Sequence, residues 1–366
     1  MDIFSLLREA GAKGASDLHL VVSSPPLLRV NGDLEAIDEA MQLNPSEINQ
    51  AFLQITTPEQ RESFHNNLEL DFNYTLEGVG HLRCNAAQQR GAISLAVRLL
   101  PAEVPTIDQM ELPELYKELA IKQRGLIIVT GPTGSGKSTS QAAMIRHLNE
   151  NDSRHIVTVE DPIEYVHPTI KCAITQRQLG SDTLSFAEAL RRVLRQDPDV
   201  ILVGEMRDLD TAAAVLSIAE TGHLILTTGH APSSSQAVER VIDLFPPHER
   251  HLAQTRLASL LIAVLFQTLV PRADGSGRIA AVEILLANPA AKNLIREGKI
   301  YQLPNVIRTH RAIGMLSLDE SLVNLYREHI ITRESMFEFC CDRKEVEKLV
   351  GGAGTKDYRQ KYVPAS

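Results

Sequence analysis

The sequence predicts an α/β protein of two domains, the second built on a parallel sheet. Three observations carry this. Residues 131–139 read Gly-Pro-Thr-Gly-Ser-Gly-Lys-Ser-Thr, between an apolar β-branched segment, Gly125–Thr130, and a helix-tolerant one from Ser138 through His147. Four apolar strand patterns, Leu126–Thr130, Ile156–Glu160, Val200–Gly204 and Leu224–Thr228, alternate with helical ones, which implies a parallel sheet that binds ligands at its strand C-terminal ends. A proline-punctuated stretch from Pro101 to Pro113 separates this region from a mixed α/β segment before it.

Along the chain, Met1–Ala10 reads as an amphipathic helix and Asp17–Val22 begins a strand. Ser23-Ser24-Pro25-Pro26 and Asn31-Gly32 supply turns, and Gly91–Leu100 closes the domain with a strand. The expected organisation is a first domain over 1–100, a linker over 101–113 and a nucleotide domain over 114–290. A helical region over 291–350 and a disordered polar tail over 351–366 follow. Asp274-Gly275-Ser276-Gly277 signals a hairpin or loop. The most apolar stretch, Leu257–Val270, is interrupted by Ser259, Gln267 and Thr268; it is too short to span a bilayer and reads as a buried helix.

Composition narrows the class. An apolar content of 43% supports full cores without disulfides. The four cysteines, Cys84, Cys172, Cys340 and Cys341, make no Cys-x-x-Cys pair and read as reduced cytosolic thiols. The N-terminus lacks a basic head followed by an apolar run, so no secretory signal is expected. The formal charge of −9 argues against a nucleic-acid partner, which would require a basic surface.

The glycine loop carries the chemistry. Gly131, Gly134 and Gly136 let the backbone turn tightly and aim successive N–H groups at phosphate oxygens. The first turn of the following helix adds unpaired donors and the positive end of its dipole. The cradle is Thr133, Gly134, Ser135, Gly136, Lys137, Ser138 and Thr139. Lys137 should reach the β/γ-phosphates, and Ser138 or Thr139 should hold Mg²⁺ through a hydroxyl. The expected ligand is a nucleoside triphosphate.

Three further segments surround it. Glu160, Asp161 and Glu164 follow the second strand, where they suit either a water-activating base or a solvated acidic loop. Glu205, just past the strand Asp199–Val203, can hold Mg²⁺ through its water shell. His223 and His230 bracket another buried strand and could sense a γ-phosphate or link two subunits, or be ordinary core or surface residues.

Together these stretches resemble the secretion ATPase superfamily, and more closely the type IV pilus retraction ATPases (PilT-like). The resemblance covers nearly the whole chain. It runs from Ala15-Ser-Asp-Leu-His-Leu20 through Gly131–Thr139, Glu160-Asp-Pro-Ile-Glu164, Gly204-Glu-Met-Arg-Asp208 and Glu220-Thr-Gly-His223 to Asn293-Leu-Ile-Arg-Glu297. It implies a PAS-like N-terminal α/β domain, a RecA-like P-loop ATPase domain with a helical C-terminal extension, and a hexameric ring that hydrolyses ATP with Mg²⁺. Glu164 would be the general base and Glu205 an atypical Walker B carboxylate that helps hold Mg²⁺ with Ser138. His230 would be a histidine-box residue near the phosphates. Arg83 and Arg98 would supply guanidinium groups to a bound nucleotide, although each also reads as an ordinary exposed strand arginine.

The implied function is retraction of type IV pili by pilin disassembly, which underlies twitching motility. The motor would act from the cytoplasm, peripherally at the inner face of the membrane, on a pilus platform protein, with a second retraction ATPase as an open possibility. An accessory PilU-like role and a pilus-assembly or type II secretion role are the alternatives within the superfamily. The larger assembly relatives carry an extra N-terminal region and a Cys-x-x-Cys zinc element, which this sequence lacks. A DNA translocase and an ATP-binding scaffold are the rivals from other classes.

Overall fold

The computed structural model describes residues 1–30, 32–37, 41–100 and 103–351. Asn31 of the expected turn, Pro101 and Ala102 of the expected linker, and the tail beyond Gly351 lie outside them. The chain divides into two compact units, 1–103 with 164–166, and 104–163 with 167–366.

The first unit contains α1 (Ile3–Ala12), β1 (Asp17–Leu20), β2 (Leu27–Val30), β3 (Asp33–Ala36), α2 (Pro45–Ile55), α3 (Pro58–Asn67), β4 (Glu69–Leu76), β5 (Gly80–Gln89) and β6 (Ala92–Leu99). Each helix starts where a capping residue stands. Asp2 accepts from the Phe4 amide, and Asn44/Glu47 and Thr57/Gln60 form reciprocal capping boxes ahead of first-turn prolines. The strands form one sheet in the order β3-β2-β1-β6-β5-β4, with every pair antiparallel. Alternation gives the sheet an apolar face: Leu18, Leu20, Phe72, Cys84, Ala86, Leu95 and Val97 share a core with Ile3, Leu7, Ile48, Phe52 and Phe64 of the helices. The residues between them, Arg83 and Arg98 included, face the other way.

The second unit contains α4 (Leu115–Ala120), β7 (Gly125–Thr130), α5 (Lys137–Asn151), β8 (His155–Glu160), β9 (Ala173–Gln178), α6 (Phe186–Val193), β10 (Val200–Val203), α7 (Leu209–Glu220), β11 (Leu224–Gly229), α8 (Ser234–Asp243), α9 (Arg250–Leu260), β12 (Leu261–Pro271) and β13 (Arg278–Leu286). Five helices follow: α10 (Pro289–Arg296), α11 (Leu303–Thr309), α12 (Leu318–Arg327), α13 (Arg333–Phe339) and α14 (Arg343–Gly351). The sheet order is β13-β12-β7-β11-β10-β8-β9, parallel except for β13. Leu126, Ile128, Val157, Ile201 and Ile225 pack on α6 to α11, while Ile127, Val129, Ile156, Leu202 and Leu226 pack on α4 and α5. Helices on both faces bury every strand of the centre, which is why those strands read as unbroken apolar runs.

Two expectations are corrected. Leu257–Val270 is not one buried helix: α9 ends at Leu260, and Leu261–Pro271 is strand β12, paired with β7 and β13. A strand buried on both faces shows no alternation, so periodicity does not separate it from a helix. The stretch from Val104 to Pro113 is not a free linker. Val104, Ile107 and Leu112 are buried within the second unit, and Arg146 donates to the Val104 carbonyl. The segment 274–277 does join the β12–β13 hairpin. Among the described residues, no helix is long and apolar enough to cross a membrane.

Candidate nucleotide-binding site

Strand β7 lies inside the sheet, between β12 and β11, and runs straight into the glycine loop. Gly131 has φ +145°, and a Cβ there would stand 2.2 Å from the Gln267 carbonyl oxygen and 2.8 Å from Ser135 Oγ. Gly136, at φ +83°, is the N-cap of α5 and supplies no side-chain cap. The first-turn amides therefore end in an uncapped, positively polarised helix terminus, the arrangement that binds phosphate. Thr133 and Gly134 are exposed, Gly136, Ser138 and Thr139 are half-buried, and Ser135 is buried with its hydroxyl unpartnered. The Ser138 hydroxyl makes no hydrogen bond among the described residues, so it is available to a cation. An orphaned buried hydroxyl beside an uncapped glycine cradle fits a phosphate ligand.

Gln267 holds the loop in shape. Fully buried on β12, it donates from Nε2 to the Ser135 carbonyl at 2.6 Å and accepts from Ser140 Oγ at 2.9 Å. One side chain thus ties the loop to the first turn of α5. The sequence showed Gln267 only as a polar interruption of an apolar run; its partners lie more than 125 residues earlier.

Lys137 is buried, and its ammonium donates to the carbonyls of Gly131 at 3.0 Å and Pro132 at 2.9 Å. It also stands 3.5 Å from His230 Nδ1. An ammonium has no lone pair, so Nδ1 is the accepting side of that contact, which leaves Nε2 as the ring's outward nitrogen. That nitrogen faces Glu205 Oε1 at 3.4 Å, and Glu205 Oε2 accepts from Arg207 Nε at 2.7 Å. Lys137, His230, Glu205 and Arg207 form one contact chain drawn from three strand ends. The ends are clamped to each other: the Ala231 amide donates to Thr130 Oγ1 at 3.0 Å, and the Thr228 hydroxyl donates to the Gly204 carbonyl.

The acidic segment separates by role. Glu160 accepts from Thr158 Oγ1 at 2.6 Å and Gln176 Nε2 at 3.1 Å, which engages it structurally. Glu164 is exposed and belongs to the stretch 164–166 that groups with the first unit. The chain on either side of it is pinned to β9, through Ile163 N–H to Gln178 Oε1 at 3.2 Å and His167 N–H to Gln176 Oε1 at 2.8 Å. His223 precedes β11 at the opposite end from the loop, its carbonyl accepting from Gly125 at 2.9 Å. Six strand residues, on the order of 16–20 Å, separate it from the phosphate cradle.

On the first unit, Arg83 of β5 and Arg98 of β6 stand directly opposite each other. Arg98 Nε is 2.9 Å from Asp17 Oδ1, whereas Arg83 has no ion pair among the described residues.

Burial holds the His167 imidazole down to about 4. Between that value and the ordinary 6.5 the unfolded chain binds more protons than the folded one, so stability falls as pH drops through this window and is fully present above it. The cost at the acid end is ~3 kcal/mol. His167→Gln should flatten the dependence of the melting temperature on pH between 6.5 and 4.5; an unchanged slope would remove His167 from the account.

An interior parallel strand ending in a glycine cradle, with a lysine in the loop and a carboxylate beyond the next strand but one, defines a P-loop nucleotide-binding protein. The chain belongs to the type II/IV secretion system protein family, whose model matches residues 5–329. It is 43% identical over 338 residues to the type IV pilus retraction ATPase PilT of Pseudomonas aeruginosa, covering 92% of this chain and 98% of that one. It is 40% identical to the type IV pilus ATPase PilU of the same organism, over 91% of this chain and 87% of that one. The fold is similar to the crystal structure of the pilus retraction motor PilT with bound ADP, at a TM-score of 0.89 and 40% identity, over 95% of this chain and 99% of that one.

Proposed function

We infer that the protein is an ATP-hydrolysing motor that powers type IV pilus retraction. The observation that carries this is the Lys137–His230–Glu205 contact chain at the phosphate loop, in a chain alignable to 98% of PilT. The loop amides from Thr133 to Thr139 cradle the phosphates, and Lys137 leaves the Gly131 and Pro132 carbonyls for the β/γ-phosphate oxygens. Ser138 and Glu205, the latter partly through water, would hold Mg²⁺, which when bound would screen charge developing on the departing ADP. Glu164 takes a proton from the water as its oxygen bonds to the γ-phosphorus, the bond from that phosphorus to the bridging β-phosphate oxygen breaks, and ADP and phosphate leave. Arg83 and Arg98 present guanidinium groups to the phosphates.

The working assembly in this reading is a hexameric ring with a PAS-like first domain and a RecA-like second. It acts in the cytoplasm against a pilus platform protein at the inner membrane face. A strain lacking the protein should carry excess surface pili, withdraw none of them and fail to twitch. Cells without pili would overturn the reading in favour of assembly. The 40% identity to PilU favours an accessory role as the second reading, and pili that still withdraw in that strain would select it.

A further inference from the structure

The polar face of the first unit's sheet carries a transverse row of side chains. Cross-strand register sets Arg29 of β2 opposite Asp17 of β1, Asp17 opposite Arg98 of β6, and Arg98 opposite Arg83 of β5. Residues directly opposite on antiparallel strands share a face, so these four charges stand side by side. Two arginines directly opposite each other disfavour the fold, which makes the Arg83–Arg98 pair a feature whose reason lies outside the unit's stability.

Asp17 stands on the other side of Arg98, between it and Arg29, and is itself engaged. The residue is 8% exposed; its Oδ2 accepts from Ser16 Oγ at 2.8 Å and its Oδ1 from Arg98 Nε at 2.9 Å. Burial pulls the Asp17 carboxyl up, but the Ser16 hydroxyl and the Arg98 guanidinium outweigh it and hold the group below the usual carboxylate range. The carboxylate is therefore charged and fixed at working pH. Arg98 is gripped at Nε alone, the inner edge of the guanidinium. The four N–H donors of its outer nitrogens make no hydrogen bond among the described residues.

We propose that Asp17 is a positioning residue for Arg98: it holds the guanidinium by Nε so that both outer nitrogens are presented together to a phosphate oxygen pair. This rests on the reading of Arg98 as a nucleotide-contacting residue. A gripped arginine loses less side-chain entropy on meeting an anion than a free one, and its fork is aimed before the anion arrives. Asp17 touches neither substrate nor reacting atoms, so its loss acts through Arg98.

The test is steady-state ATP turnover of the purified full-length protein, with nucleotide affinity and melting temperature measured alongside. Arg98→Ala should lower kcat by about 10²-fold or more. Asp17→Asn should lower it by about 10-fold with nucleotide affinity unchanged. Asp17→Glu keeps the charge one methylene further out and should lower kcat about 5-fold at an unchanged melting temperature, which decides the matter if the asparagine variant folds poorly. In the Arg98→Ala background both Asp17 substitutions should be silent. Wild-type turnover in the Asp17 variants, or losses that multiply in the double variants, overturns the positioning role while leaving Arg98 in the site. Unchanged turnover in Arg98→Ala overturns the arginine reading itself.

Discussion

Glu205→Gln should bind ATP with an affinity close to that of the unaltered protein and turn it over at least about 10²-fold more slowly. In the proposed reading, binding rests on the loop amides, the α5 terminus and Lys137, none of which this substitution replaces. Turnover, in the same reading, rests on charge at the Glu205 position. Its carboxylate accepts from Arg207 Nε and stands 3.4 Å from His230 Nε2, with only 14% of the side chain exposed. An amide of the same shape can accept at one oxygen only, and with its NH₂ turned to Arg207 it sets a donor against a donor. It also removes the negative charge that, as proposed, would steady a cation beside the phosphates. Separate measurement of nucleotide affinity and kcat distinguishes these outcomes. Normal hydrolysis in the variant would take Glu205 out of the site.

Gly131→Ala should abolish nucleotide binding and lower the melting temperature by several degrees. The new Cβ would lie 2.2 Å from the Gln267 carbonyl oxygen, and the obstruction is backbone, not a side chain that can swing away. Gln267 sits in β12 opposite Val282 of β13, next to Phe266, which is opposite Thr130 of β7. Hydrogen-bonded neighbours on both sides stop that carbonyl from retreating. The loop must move instead, and it is held at Ser135 by the Gln267 side chain. The φ of +145° adds strain for any residue with a Cβ. Gly134 provides the contrast: its φ is +76°, but a Cβ there meets nothing within 4 Å. Gly134→Ala should therefore cost only the backbone preference, about 1 kcal/mol, and melt close to the unaltered protein. Equal melting temperatures for the two alanine variants would contradict the packing argument.

The central strands were legible in the sequence to within a residue or so, because an apolar β-branched run bounded by Gly, Asp or Glu has few other uses. The phosphate loop was legible for the same reason, since its spacing fixes its flanks. What was not legible depends on contacts across sequence. Strand β12 reads as a helix because burial on both faces erases alternation, and with it went the role of Gln267, whose partners lie on the loop and α5. The Lys137–His230–Glu205 chain joins three segments that only the sheet order β7-β11-β10 makes neighbours. His223 and His230 look equivalent as a bracketing pair, yet a parallel strand puts one at each end of the sheet, and only His230 reaches the cradle. The pairing of Arg83 with Arg98 was within reach: the turn at Arg90-Gly91 sets Gln89 opposite Ala92, and stepping back along both strands brings the two arginines together. The anchoring of Arg98 by Asp17 was not, because β1 and β6 are far apart in the chain.

The most direct test of the account follows labelled pili in living cells whose only copy of the protein carries Glu205→Gln. Hydrolysis at this loop is taken to drive withdrawal, so pili should extend normally, remain extended, and withdraw again when the unaltered gene is restored. Withdrawal at the original speed in the Glu205→Gln strain would contradict it.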